Sequence, residues 1–115
     1  MINVYLDDIR SCPQGFVVAR SAEACSLLLA EMDVNLLSLD FELGLGEPNG
    51  MAVVRSMIVS GKYPKQIFVH SSSHMGRAQM VHELRAANPV GVIIHDGPMP
   101  ASVLEEAAAG KSHNA

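Results

Sequence analysis

Residues 34–70 read VNLLSLDFELGLGEPNGMAVVRSMIVSGKYPKQIFVH, and this stretch decides the fold. It opens on a short apolar run, Val34 to Leu39, and then passes through a glycine-rich loop. In the segment that follows, Met51, Val54, Met57 and Ile58 recur at helical spacing, predicting a helix over about 50–60 that Gly61 ends. A second apolar run follows from Gln66 to His70. Two short strands joined through a helix form a βαβ unit, because parallel strands need a long crossover. VNLLSL is leucine-rich, so its reading as a strand rests on the alternation around it.

Outward from this unit the pattern repeats. Ile2 to Leu6, Phe16 to Ala19 and Val90 to Ile94 are further short apolar runs. Continuous runs of this length suit strands buried on both faces of a parallel sheet. Ser21 is a good N-cap for AEACSLLLAEM. A third helix is expected over about 76–88, with Met80, Val81 and Leu84 inward and Pro89 as its stop. A short fourth helix is expected over 101–109, ended by Gly110, and the tail KSHNA (111–115) is expected to be disordered. The alternation predicts one α/β domain over 1–110, a flavodoxin-like three-layer sandwich around a five-stranded, mostly parallel sheet. Only Asp7 to Gly15 separates the first two runs, too little for a helix, so a loop is expected to replace the first helix.

The chain has 115 residues, 49% hydrophobic and 17% charged, in keeping with one folded domain. Its formal net charge of −4 argues against binding duplex DNA, which needs a basic face. It leaves room for a nucleotide or an RNA end held by a few arginines. Cys12 and Cys25 form no CxxC pair and read as reduced thiols. MINVYLDDIR has no basic n-region, and no stretch approaches the length of a membrane span. The expectation is a soluble, cytoplasmic protein.

Parallel α/β sheets bind ligands at the carboxyl ends of their strands. Here those ends carry Asp7-Asp8 with Arg10 close behind, then Arg20, then Asp40 with Glu42, then His70-Ser71-Ser72-Ser73, then His95-Asp96. Convergence of Asp7, Asp8 and Asp40 would make a hard, oxygen-rich pocket suited to Mg²⁺. A turn-capping role for Asp7 or Asp8 is the alternative. His70 can serve as a proton donor or as a buried, backbone-bonded histidine. Arg10, Arg20 and Arg77 can clamp phosphate or form ordinary salt bridges. GLGEPNG lacks the lysine of a P-loop and reads as a flexible loop.

An acid pair after the first strand, an Asp after the third and a hydroxyl residue, Ser71, after the fourth resemble the receiver domain of two-component signalling. Receivers carry a lysine after the fifth strand, where this chain has His95, Asp96 and Gly97. The chain is more similar to a divergent family, the cyclic-phosphate processing receiver domains. The resemblance rests on LDDIR (6–10), PQGF (13–16), RSAEA (20–24), SLDFELG (38–44) and HSSSHMGR (70–77), in order over about residues 1–85. Two positions depart from the family pattern. Its His-Asp after SLD is Phe41-Glu42 here, and its Asn of HSxN is Ser73.

The resemblance implies a metal-dependent phosphoesterase acting on a cyclic phosphate of an RNA end or nucleotide, with a link to RNA repair. Asp7, Asp8, Asp40 and Glu42 would hold the metal, and His70, Asp40 and Ser71 would form the catalytic group. Arg10, Arg20 and Arg77 would bind phosphate. Two alternatives stand beside it: a module that binds a nucleotide or phosphate without turnover, which Phe41 favours, and an atypical phosphoacceptor receiver with Asp40 as nucleophile, which the absent lysine disfavours.

Overall fold

A computed structural model describes residues 1–110; the expected disordered tail lies outside the described residues. Nine elements follow one another: β1 (Ile2–Leu6), β2 (Val17–Ala19), α1 (Ala22–Glu31), β3 (Val34–Leu39), α2 (Gly50–Ser60), β4 (Gln66–Val69), α3 (His74–Ala87), β5 (Ile93–Ile94) and α4 (Ala101–Ala108). The sheet order is β2-β1-β3-β4-β5, and every pairing is parallel, so the expected mostly parallel sheet is wholly parallel. The order reverses beside β1, which makes the β1/β3 boundary the switch point where such sheets open a crevice. No helix among the described residues is long and apolar enough to cross a membrane.

Helix boundaries follow local chemistry. Ser21, Asn49 and Ser73 each accept a backbone N–H of the first turn of α1, α2 and α3. Gly61, at φ 71°, closes α2 in the left-handed region. Two sequence expectations shift. Helix α3 begins at His74 rather than Gly76, because Ser73 caps it. The fifth strand shrinks to Ile93–Ile94, because Val92 N–H bonds back to Pro89 O across a turn at Gly91. Val90 consequently lies on the surface.

The two faces of the sheet are covered differently. Val4, Leu6, Leu37, Leu39, Ile67 and Val69 face a core shared with α1, α2 and α3. Tyr5, Leu36 and Phe68 face a smaller cluster built with Met99 and Ala107, against which Cys12, Phe16, Val103 and Leu104 pack. A bulge near Asn35 sets this partition, since the pairing shifts between Ile2–Val34 and Val4–Leu37. Beyond it the strand alternates, and Leu36, Ser38 and Asp40 fall on the face of the smaller cluster.

On that face the first crossover is the expected loop. Gly15 lies so close to α4 that a Cβ there would come within 2.1 Å of Ala107 O, and its φ of 88° also favours glycine. The Phe16 ring meets Tyr5 edge-on at 6.3 Å. A loop pinned in this way takes the place of the missing helix.

Candidate functional site

Register brings the site together. Leu6 pairs with Leu39, and Leu39 with Val69. The next residues are Asp7, Asp40 and His70, at the ends of three neighbouring strands about 4.8 Å apart. Asp40 N–H bonds to Leu6 O at 3.1 Å and His70 N–H to Leu39 O at 2.9 Å, extending the ladder to the site itself. One ligand atom each from Asp7, Asp40 and His70 lies within 4.8 Å of the others.

The buried Asp7 carboxylate is heavily engaged. Its Oδ1 accepts the backbone N–H of Ile9 (3.0 Å) and Arg10 (2.8 Å), which turns the chain after β1. Its Oδ2 accepts Arg10 Nη1 at 3.3 Å and faces His70 Nε2 at 2.9 Å. Burial pushes its pKa up, but the Arg10 and Ile9 amides and the His70 ring outweigh burial and hold it below the usual carboxylate range. Asp7 therefore caps the turn after β1 and also stands in the cluster with Asp40 and His70.

His70 forms the middle of a relay. Its Nδ1 lies 2.6 Å from Ser38 Oγ, and its ring stacks on Tyr5 with centroids 4.5 Å apart. Burial pushes its pKa below the usual value, against the pull of Asp7 and Asp40, which favours the neutral ring. An ionised carboxylate only accepts, so Nε2–H donates to Asp7 and Nδ1 accepts the Ser38 hydroxyl. Both ring nitrogens are thereby committed to the protein.

Asp40 is shifted the other way. Burial raises its pKa, the Asp7 charge raises it further, and His70, the Phe41 amide and the Ser71 hydroxyl offset this in part. Two buried carboxylates that repel each other fit a hard divalent cation, which would relieve both burdens. The imidazole fits less well as a ligand while Nε2 donates to Asp7.

Asp7 and Asp40 line a cleft of about 580 Å³ whose wall also includes Asp8, Arg10, Phe41, Glu42, the Gly44–Gly46 loop and Ser72, while His70 lies behind them. The expected carboxylates Asp7, Asp8, Asp40 and Glu42 thus share one cleft, with Asp8 and Glu42 outside the tight trio. No lysine lines it among the described residues. Ser71 is buried; its hydroxyl serves Asp40 and also accepts Ser73 N–H at 3.1 Å.

The three arginines separate. Arg10 lines the cleft. Arg20 Nη1 donates to Asp7 O (3.2 Å) and Arg10 O (2.6 Å), bracing the loop that replaces the first helix. Arg77 donates to Ser71 O at 3.1 Å and lines a different cleft. His95 stacks on Phe68 at 4.0 Å and bonds to Gln66, away from the trio.

Sequence reasoning gave no role in the site to Ser38, a polar residue at the end of its strand, or to Tyr5. The signal was present: each lies two residues before a site carboxylate and so shares its face, and Ser38 is a lone hydroxyl in a fully buried stretch of leucine.

No curated protein matches the chain. The model of one family, described as the cyclic-phosphate processing receiver domain, matches residues 2–86, from the first strand to the end of α3. That span holds the Asp7–Asp40–His70 trio and the sheet order that assembles it, and the chain belongs to the cyclic-phosphate processing receiver domain family.

Proposed function

We propose that the acidic cleft is a metal-assisted phosphoesterase site for a cyclic phosphate, carried by a nucleotide or an RNA end. The observation that carries the reading is the convergence of two buried carboxylates, Asp7 and Asp40, in the wall of a cleft that Arg10 also lines. A Mg²⁺ ion held by Asp7 and Asp40, with Asp8 or Glu42, would neutralise phosphoryl charge and lower the pKa of a bound water. Arg10, which lines the same cleft, would bind a phosphoryl oxygen without performing chemistry. Asp40, whose carboxylate is costly to ionise beside Asp7, is the ligand that a bound cation would relieve most. His70 acts through Asp7: it keeps that carboxylate oriented and ionised, and the Ser38 hydroxyl fixes its tautomer.

A second reading is a binding module for the same ligand. It is favoured by Phe41, which stands where the family pattern has histidine, and by the engagement of both His70 nitrogens.

Incubation of the protein with nucleoside 2′,3′-cyclic phosphates in Mg²⁺ or in EDTA tests the choice. Metal-dependent release of the monophosphate that Asp40→Asn abolishes supports the phosphoesterase. Micromolar binding by calorimetry without turnover supports the module. Neither binding nor turnover sinks both.

A further inference from the structure

A second cleft, of about 560 Å³, runs along α3. Its lining residues on that helix fall at 74, 77, 78, 81, 82 and 85, the spacing of one helical face. His74, Arg77, His82 and Arg85 occupy four of these six positions, and Asp96 is the one carboxylate facing them. On a chain of net charge −4 this is a local reversal of sign.

A row of basic side chains on an exposed helix is ordinarily a solvated face. Two features set this one apart. First, its guanidinium groups are held in place. Arg77 Nη1 donates to Ser71 O at 3.1 Å and its Nη2 lies 2.9 Å from His74 Nδ1, while Arg85 Nη2 donates to Ile94 O at 3.3 Å. Each arginine carries five N–H donors, so these bonds orient the group and leave most of its fork for a ligand. Second, the cleft adjoins the acidic one. Ser71 touches both sides, its carbonyl accepting Arg77 and its hydroxyl serving Asp40. Ser72 lines the acidic cleft and His74 the basic one. Two residues of chain span at most about 7 Å between Cα atoms.

We propose that the basic cleft is a subsite for the backbone phosphate next to the terminal cyclic phosphate. The substrate class is then a single-stranded oligoribonucleotide rather than a free cyclic nucleotide. The inference rests on the acidic cleft holding the cyclic phosphate. Few phosphates are engaged, in keeping with the acidic remainder of the surface.

Fluorescence anisotropy in Mg²⁺ tests it, with a 5′-labelled tetraribonucleotide ending in a 2′,3′-cyclic phosphate and the nucleoside 2′,3′-cyclic phosphate as unlabelled competitor. The oligonucleotide is expected to bind about tenfold more tightly or better. Arg85→Gln and His82→Gln, each checked for a native melting curve, are expected to bring that ratio toward one. Arg85→Gln is also expected to lower the slope of log K against log salt by about 0.7, the value for one single-strand phosphate. Equal affinities, or a ratio untouched by both variants, overturn the subsite, as does equal competition by a polyglutamate peptide. A tetraribonucleotide ending in a 3′-hydroxyl separates the two ideas. If it binds through Arg85 while the nucleoside cyclic phosphate does not bind, the basic cleft stands and the cyclic-phosphate reading falls. If the nucleoside cyclic phosphate binds through Asp40 with no gain from added nucleotides, the reverse holds.

Discussion

The ring of Phe41 rests on the backbone of Gly76, so closely that a Cβ built on Gly76 would fall 2.2 Å from Phe41 Cγ. Beside it, a Cβ on Gly50 would fall 2.3 Å from Asp40 O. The Asp40–Phe41 turn is therefore seated on two glycines, at the starts of α2 and α3. Phe41 fills the first turn of α3 with carbon where the family pattern has an imidazole. Gly76→Ala is expected to destabilise the fold by about 1–3 kcal/mol through overpacking. Phe41→Ala in the same chain recovers part of that loss. Urea denaturation of the four proteins of the cycle measures it, and strictly additive losses would show that the two residues do not press on each other.

Asp40 costs stability when ionised. Its pKa is raised in the fold by burial and by Asp7, so the penalty is absent below the unfolded value near 3.8 and develops as pH rises through the folded value. Asp40→Asn is expected to raise Tm by a few degrees at pH 7 in EDTA, and the gain fades toward pH 3.5. Millimolar Mg²⁺ raises the Tm of the wild type, and this rise is lost in the variant. Scanning calorimetry with and without metal decides; a Tm indifferent to Mg²⁺ would mean that the carboxylates hold no cation.

Acid acts first on two partly buried histidines. Burial lowers the pKa of His70 and of His95 below the ordinary 6.5. A base whose folded pKa is lowered contributes stability that is complete above its unfolded pKa, declining as pH falls below it. Urea midpoints are therefore expected to drop between pH 7.5 and pH 5.5, and His70→Gln to remove part of the drop. Asp7 works at the other end of the scale. Its pKa is lowered, so its contribution persists until pH falls below about 3.8. Equal midpoints at pH 7.5 and pH 5.5 would contradict a neutral, partly buried His70.

Ser73 departs from the family pattern without departing from its physics. Its hydroxyl accepts Gly76 N–H at 3.1 Å and caps α3. Asn is an equally good N-cap. Ser73→Asn is expected to be neutral within about 0.5 kcal/mol, whereas Ser73→Ala costs about 1 kcal/mol. Denaturant titration distinguishes them; equal losses in the two variants would remove capping as the reason for a polar residue here.

Turnover assays can separate the two roles open to His70. A glutamine amide can still donate to Asp7, so if His70 orients that carboxylate, His70→Gln retains most of the activity that His70→Ala loses. If the ring delivers a proton to the leaving oxygen, both variants lose a factor of about 10²–10⁴. Phe41→His, which restores the family pattern, is expected to raise turnover over the wild type in the same assay.

Local chemistry determined much of this protein from sequence alone. Short apolar runs, helical spacing and the stops at Gly61 and Pro89 are properties of neighbouring residues, and they marked out the parallel sheet, its helices and the helix-free first crossover. Carboxylates at strand ends were legible for the same reason, because a strand that ends in Asp announces which end of the sheet it serves. The exception was Val90, an apolar residue that Pro89 and Gly91 turn out of the sheet.

Pairing register belongs to no single segment, and only the tertiary structure decided it. The alignment of Leu6, Leu39 and Val69 joins residues up to 63 positions apart, and it alone makes Asp7, Asp40 and His70 neighbours. It also drew Ser38 into the site as the hydroxyl behind His70. The same long-range packing sorted three arginines that look alike in sequence: Arg10 to the acidic cleft, Arg20 to the loop backbone and Arg77 to a second cleft. A guanidinium on a long side chain takes whichever carbonyl or carboxylate the fold brings within reach, and that is determined only when the strands have paired.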